Sequence, residues 1–129
     1  MAAPVQVNEI DSLWWSPVIG DFRSVGLIVT DLLDIEQCIR IILGTPIGSD
    51  PFRPTFGASF LPYIDMPINE ASPFIVREAV RAILTWEPRI QARRIDVTPQ
   101  PAEYSSSVLS VIWQLRENPA IARTTEVAI

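Results

Sequence analysis

The sequence predicts a small α+β domain: two main helices packed on a small, antiparallel-rich sheet that ends in a C-terminal strand. Three observations predict it. Apolar residues recur at helical spacing over 32–43 and again over 74–84. Residues 106–116 alternate strictly, with Leu109, Val111, Trp113 and Leu115 on one face and Ser110, Gln114 and Arg116 on the other. The strand-forming stretches also follow the helices as a block instead of alternating with them, which is the α+β order. At 129 residues the chain suits one domain, able to bury roughly two thirds of the surface its unfolded form exposes. Residues 1–24 read as an irregular N-terminal segment and 25–129 as the domain.

Taken in order, residues 1–20 carry Pro4 and Pro17 and an adjacent pair, Trp14 and Trp15. That pair is either a clamp onto the domain or a surface for a partner, since Trp is enriched at binding hot spots. Residues 25–30 read as a short strand or an extended lead-in. Thr30 suits a helix N-cap, and Asp31, Asp34 and Glu36 then complement the positive end of the helix dipole. Leu32, Ile35, Ile39 and Ile42 supply the buried stripe, with Cys38 and Leu43 on its flank, and Gly44 stops the helix.

Residues 44–73 hold six of the twelve prolines, a density that forbids a regular helix or central strand. They also hold Phe52, Phe56, Phe60, Leu61, Tyr63 and Ile64, so the stretch reads as an ordered loop pinned by its aromatics, and ordered loops of this length are usually functional. Ser72-Pro73 has the chemistry of a helix start. From there Phe74, Val80, Ile83 and Leu84 run to Trp86, with Arg77 and Glu78 facing water. Pro88 disfavours helix at Glu87 and forces a turn. Residues 90–98 form a strand, bulged because its alternation is imperfect. Pro99 and Pro101 break it. Asn118-Pro119 makes a turn before a β-branched terminal strand over 120–129.

Composition excludes much chemistry. Formal charge is −5 with a pI near 4.6, which disfavours binding to a phosphate backbone. There is no His and no Lys, and all ten cations are Arg. Ser-His-Asp and Cys-His nucleophile sites, His-ligated zinc, Schiff bases and a Walker loop are therefore unavailable. Cys38 stands alone and cannot form an intrachain disulfide. The first residues lack a basic region and an apolar run, and no stretch reaches about 18 uninterrupted apolar residues. The expectation is a product made in the cytosol, with no membrane span, metal or cofactor. Carboxylate chemistry remains, and Glu87 is the one acid in an apolar, constrained context. Its structural reading is an ion pair with Arg89 that fixes the turn. Its catalytic reading is a general acid, as a glycosidase would need.

Three segments carry a resemblance. The run Ile42-Leu43-Gly44-Thr45-Pro46-Ile47-Gly48, the run Arg53-Pro54-Thr55-Phe56-Gly57, and Trp86-Glu87-Pro88-Arg89-Ile90 at the end of a helix resemble the baseplate wedge and sheath-initiator family of contractile phage tails. This tail lysozyme-like family has relatives in type VI secretion baseplates and tailocins. The likeness covers residues 25–98 well, while the first 20 residues and the last strand match by position and type.

The resemblance implies a structural, non-enzymatic component of a virion tail baseplate, made in the bacterial host cytoplasm. Its implied partners are baseplate wedge proteins, the tail sheath protein, the tail tube and a ring of identical copies, with no nucleic acid and no membrane. Wedge docking is implied for Glu87, Pro88 and Arg89, and a further contact for Arg53, Pro54, Phe56 and Gly57. The late strands, through Val108, Ser110, Ile112, Ile121, Arg123, Thr125 and Val127, are the candidates for pairing with a sheath strand, so the C-terminal strand is expected to be available for β-augmentation. Arg89 is either a docking contact or the internal partner of Glu87 or Asp65. On this reading Arg89→Ala weakens docking in a folded domain, and removing 120–129 blocks sheath growth without tearing a core. The alternatives are a peptidoglycan-cleaving muramidase and a small adaptor that binds no sheath.

Overall fold

A computed structural model describes residues 4–6, 12–20, 26–100 and 106–129. Val25, Pro101 and parts of the N-terminal segment lie outside the described residues. The chain divides into two compact units, Met1–Cys38 and Ile39–Ile129.

In the first unit, β1 (Val5–Gln6) and β2 (Trp15–Pro17) pair antiparallel on either side of β3 (Leu27–Thr30). The N-terminal segment is therefore not wholly irregular. Its two strands are too short to show a period of two, and each is defined by the edge that β3 offers it. Helix α1 (Asp31–Gly44) follows and runs on into the second unit. Asp31 opens it at φ 53, a left-handed conformation that Asp tolerates better than most residues. Side chains tie the start of α1 to β2 and the residues just before it. Ser12 Oγ donates to Asp31 and Ser16 Oγ to Asp34, while Gln37 Nε2 donates to the Pro17 carbonyl at 2.8 Å. Trp14 is half-buried and Trp15 half-exposed.

The second unit takes Ile39, Ile42 and Leu43 from α1 into its core. Helix α2 (Ile68–Trp86) begins four residues before the Ser-Pro pair that marked a helix start in the sequence. Pro67 is its cap and Pro73 lies inside it. The Ser72 hydroxyl turns back to the Ile68 carbonyl instead of capping. So early in a helix, Pro73 removes a single bond, the one to the Asn69 carbonyl. The buried stripe is Ala71, Ile75, Ala79, Ala82 and Ile83; of the residues the sequence suggested, Ile83 belongs to it, and Phe74, Val80 and Leu84 do not. Phe74 instead stacks on Tyr63 with centroids 5.3 Å apart, and Leu84 is exposed. Glu78 turns inward enough to pair with Arg81 at 3.2 Å.

The second sheet is antiparallel in the order β4 (Ile90–Pro99), β5 (Ser107–Leu115), β6 (Ala122–Ala128). The pairing of β4 with β5 skips Arg93, which is the expected bulge. Leu109, Val111, Trp113 and Leu115 are all buried, as the alternation required. β6 cannot leave without tearing the core, contrary to expectation. Its Val127 and Thr125 are buried, and the Thr125 hydroxyl accepts the indole N–H of fully buried Trp113 at 2.9 Å. Thr125→Val keeps the shape and leaves that N–H unpaired. Stability is expected to fall by about 1–3 kcal/mol, read as a lower denaturant midpoint at unchanged slope. An unchanged midpoint would show that the hydroxyl contributes nothing.

Candidate functional site

The loop from Thr45 to Ala58 is closed at its base. Pro46 and Ala58 form a parallel bridge, the Ala58 amide donates to the Thr45 carbonyl at 3.0 Å, and the Ile47 amide donates to Ala58 at 3.4 Å. Gly57 makes this closure possible. Its φ is +106, and a Cβ there would lie 2.0 Å from the Thr45 carbonyl oxygen. At the tip, Asp50 organises the chain. Its carboxylate accepts the Phe52 amide at 2.9 Å and the Arg53 Nε at 3.0 Å. The Phe52 amide, and then the Arg53 guanidinium, hold the Asp50 carboxyl below its ordinary range. Phe52 projects from this tip, 93% exposed, so Phe56 and Phe60 pin the loop and Phe52 does not.

The turn after α2 is equally ordered. Glu87 is 3% exposed, and Arg89 Nε and Nη2 donate to its two oxygens, each at 2.7 Å. This fork-to-carboxylate geometry fixes direction as well as charge. The internal pair foreseen for Arg89 is therefore formed, and with Glu87, not Asp65. Pro88 stands exposed between them. The Arg116 amide donates to the Arg89 carbonyl at 3.0 Å and Arg116 Nε to the Ile90 carbonyl at 2.9 Å, which ties the turn to the end of β5.

Loop and turn are joined through their aromatics. Arg53 lies over the Phe56 ring at 4.1 Å, and Phe56 meets Trp86 edge-on at 5.1 Å, one residue before Glu87. Arg81 Nη2 donates to the Gly57 carbonyl at 3.2 Å, anchoring the loop to α2. The structure thus seats Phe56 against Trp86, the residue before Glu87, while Phe56, Gly57 and Glu87 are buried and only Arg53, Pro54, Pro88 and part of Arg89 reach the surface. Pro54 is exposed and its carbonyl accepts the Gly48 amide.

The strand residues are placed differently. Val108, Ser110 and Ile112 lie on β5, whose two edges are both taken, by β4 and β6. β6 is the outer strand. Ser107 and Ile129 exchange both of their backbone bonds, at 3.1 and 2.8 Å. Alternation along an antiparallel ladder then turns the backbone groups of Arg123, Thr125 and Val127 toward β5, as the Leu115 amide bond to the Ile121 carbonyl also indicates. The outward groups belong to Ala122, Thr124, Glu126 and Ala128, one residue out of step with the set read from the sequence.

The sequence reading missed Arg81, Arg116 and Asp50. Asp50 carried a usable signal, an Asp-Pro pair with Arg53 three residues on. Arg81 and Arg116 act on carbonyls 24 and 26 residues away in sequence, a relation no local pattern encodes. Chemically, the surface offers oriented ion pairs, backbone edges and aromatic contacts. No group of three or more metal-binding side chains occurs among the described residues, and none of the described helices is long and apolar enough to cross a membrane.

Known proteins resemble this chain in sequence and in fold. Over 73 residues the chain is 42% identical to baseplate protein W of Escherichia phage P2, covering 56% of this chain and 64% of that protein's length. It is similar in structure to a protein described as a tail lysozyme of Geobacter sulfurreducens, at 28% identity and a TM-score of 0.67, covering 75% and 87% of the two chains. It shares its fold with a chain of the baseplate complex from the type VI secretion system, at 18% identity and a TM-score of 0.61, covering 76% and 91%. Residues 30–120 match the family described as baseplate wedge protein gp25, and the chain belongs to that family.

Proposed function

We infer that this chain is a structural, non-enzymatic component of a contractile-tail baseplate that docks on the wedge and templates the sheath by lending the β6 edge to a sheath strand. The observation that carries the reading is the outer edge of β6, where alternate backbone groups point away from a ladder already complete on the other side. Such an edge binds an extended segment through main-chain bonds, with side chains setting register. Docking falls to the exposed parts of loop and turn, Arg53, Pro54, Pro88 and Arg89, held in place by buried Phe56 and Glu87. These groups are already held by hydrogen bonds and ion pairs, so little order is gained on binding. The partners are wedge proteins, sheath and tail tube, in a ring of identical copies. The setting is the virion baseplate, after assembly in the host cytoplasm.

Co-assembly tests both halves. The purified chain, mixed with its wedge proteins and sheath subunits, is expected to give sheath grown from rings that contain it, seen by electron microscopy. Thr124→Pro removes an outward N–H while sparing the β5 ladder, a position where an edge strand tolerates Pro. It is expected to enter the wedge and abolish sheath growth. Sheath of normal length on that variant would end the augmentation reading, and exclusion of the unmodified chain from the wedge would end the docking reading.

A muramidase role is suggested by the name of one structural neighbour. Both oxygens of Glu87 are held by Arg89 in a buried pair, which leaves this acid poorly placed to protonate a sugar oxygen. Cell-wall clearing that Glu87→Gln abolishes would favour the enzyme.

A further inference from the structure

An apolar groove of about 150 Å³ opens beside the end of β6. Leu43, Pro46, Phe60, Leu61 and Ile64 line it together with Ala128 and Ile129. Leu61 and Ile64 form an exposed lip, 68% and 52% accessible, although both are large aliphatic residues. The groove has the size of an apolar cavity that takes a benzene ring, so it holds one large aliphatic or aromatic side chain and no more.

The groove and the strand edge are continuous. Ala128 lines the groove and is also the last β6 residue whose backbone groups point outward. A strand paired along Ala122, Thr124, Glu126 and Ala128 reaches the groove at its end. Residues flanking the one opposite Ala128 face the same side of the sheet as Val127 and Ile129, because side chains alternate. Val127 and Ile129 belong to the inner face that carries the core, and the groove lies along Ile129.

We propose that the partner strand received by β6 carries a single large apolar residue, leucine or an aromatic, next to the residue opposite Ala128, and that this side chain is anchored in the groove. The inference rests on the strand-edge reading above and adds the register and the chemistry of the incoming segment. Backbone pairing alone leaves register weakly specified, since a shift by two residues restores every hydrogen bond. An anchor at one end removes that degeneracy. A polar residue at the same position would be desolvated against largely apolar neighbours without a partner.

The test uses the full chain, labelled with nitrogen-15, and synthetic ten-residue peptides of β-forming sequence. Each peptide has Thr at every inward position except one, which is Leu, Ala or Asp. All are expected to shift the amides of Thr124, Glu126 and Ala128. The Leu peptide is also expected to shift Leu61, Ile64 and Ile129 and to bind roughly tenfold more tightly than the Ala peptide. The double variant Leu61→Asp, Ile64→Asp alters only the exposed lip. It is expected to keep the edge shifts and lose the preference for Leu. Equal binding of all three peptides, with edge shifts intact, overturns the anchor and leaves the strand edge standing. Shifts confined to the groove overturn the strand edge, and the anchor's register with it. No shift from any peptide overturns both.

Discussion

Gly57→Ala is expected to destabilise the second unit by about 3 kcal/mol or more, a large effect for one methyl group. Two costs add. The backbone at Gly57 has φ +106, a region that L side chains rarely enter and that costs on the order of 1–3 kcal/mol. The new Cβ would also fall 2.0 Å from the Thr45 carbonyl oxygen and 2.9 Å from its carbon. That carbonyl cannot simply retreat, because it accepts the Ala58 amide that closes the loop. The measurement is equilibrium unfolding in denaturant. Loss of loop closure should also release Phe56 from Trp86 and alter Trp fluorescence before the global transition. A stability loss below about 1 kcal/mol would mean that the loop base is soft, and that its role as a preformed contact surface is wrong.

Arg89→Ala is expected to cost about 3–5 kcal/mol, because it strands the Glu87 carboxylate in a buried site. The sequence alone suggested that this variant would stay folded and merely fail to dock, and the bidentate pair revises that. Stability and docking can still be separated. Replacing both members by apolar residues of similar volume, Glu87→Leu with Arg89→Met, removes the stranded charge and is often neutral or stabilising at buried pairs. The double variant is expected to recover most of the lost stability, measured by unfolding, and to remain excluded from the wedge. If it both folds and docks, the ion pair serves the fold alone. If Arg89→Ala shows no stability change, the carboxylate has found water or another donor and its burial has been overstated.

Much of the architecture was legible because it rests on local chemistry. The alternation Leu109, Val111, Trp113, Leu115 defines a face without reference to anything distant, and the break in alternation near Arg93 marks the bulge. The start of α2 was not legible. Ser72-Pro73 carries cap chemistry, but a helix that begins at Ile68 tolerates both residues in its second turn. The buried stripe of α2 was obscured by its alanines. Ala79 and Ala82 are fully buried, whereas Phe74 finds its neighbour in the loop. The Glu87–Arg89 pair could be read from spacing and a proline turn. The junction of Arg53 and Phe56 with Trp86 depends on how a proline-rich loop folds back on a helix, which only the three-dimensional structure shows. The strand-edge residues were off by one position, because the side-chain period is visible in sequence and the direction of backbone groups is not.

The two outer strands of the second sheet are unlike each other. β4 carries the bulge, and beside it the exposed residues Arg93 and Arg94, with Arg94 paired to Asp96 at 2.8 Å. The outward residues of β6 are Ala122, Thr124, Glu126 and Ala128, with a single charge among them. Charge and bulge are how natural sheets discourage edge pairing. A sheet open on both sides would let one copy's β6 join the next copy's β4, a head-to-tail contact that propagates into fibres unless it closes. With one side discouraged, the second sheet keeps one edge suited to receiving a strand, that of β6. On the proposed function, that asymmetry disfavours pairing between copies and leaves β6 for an extended segment of a different protein.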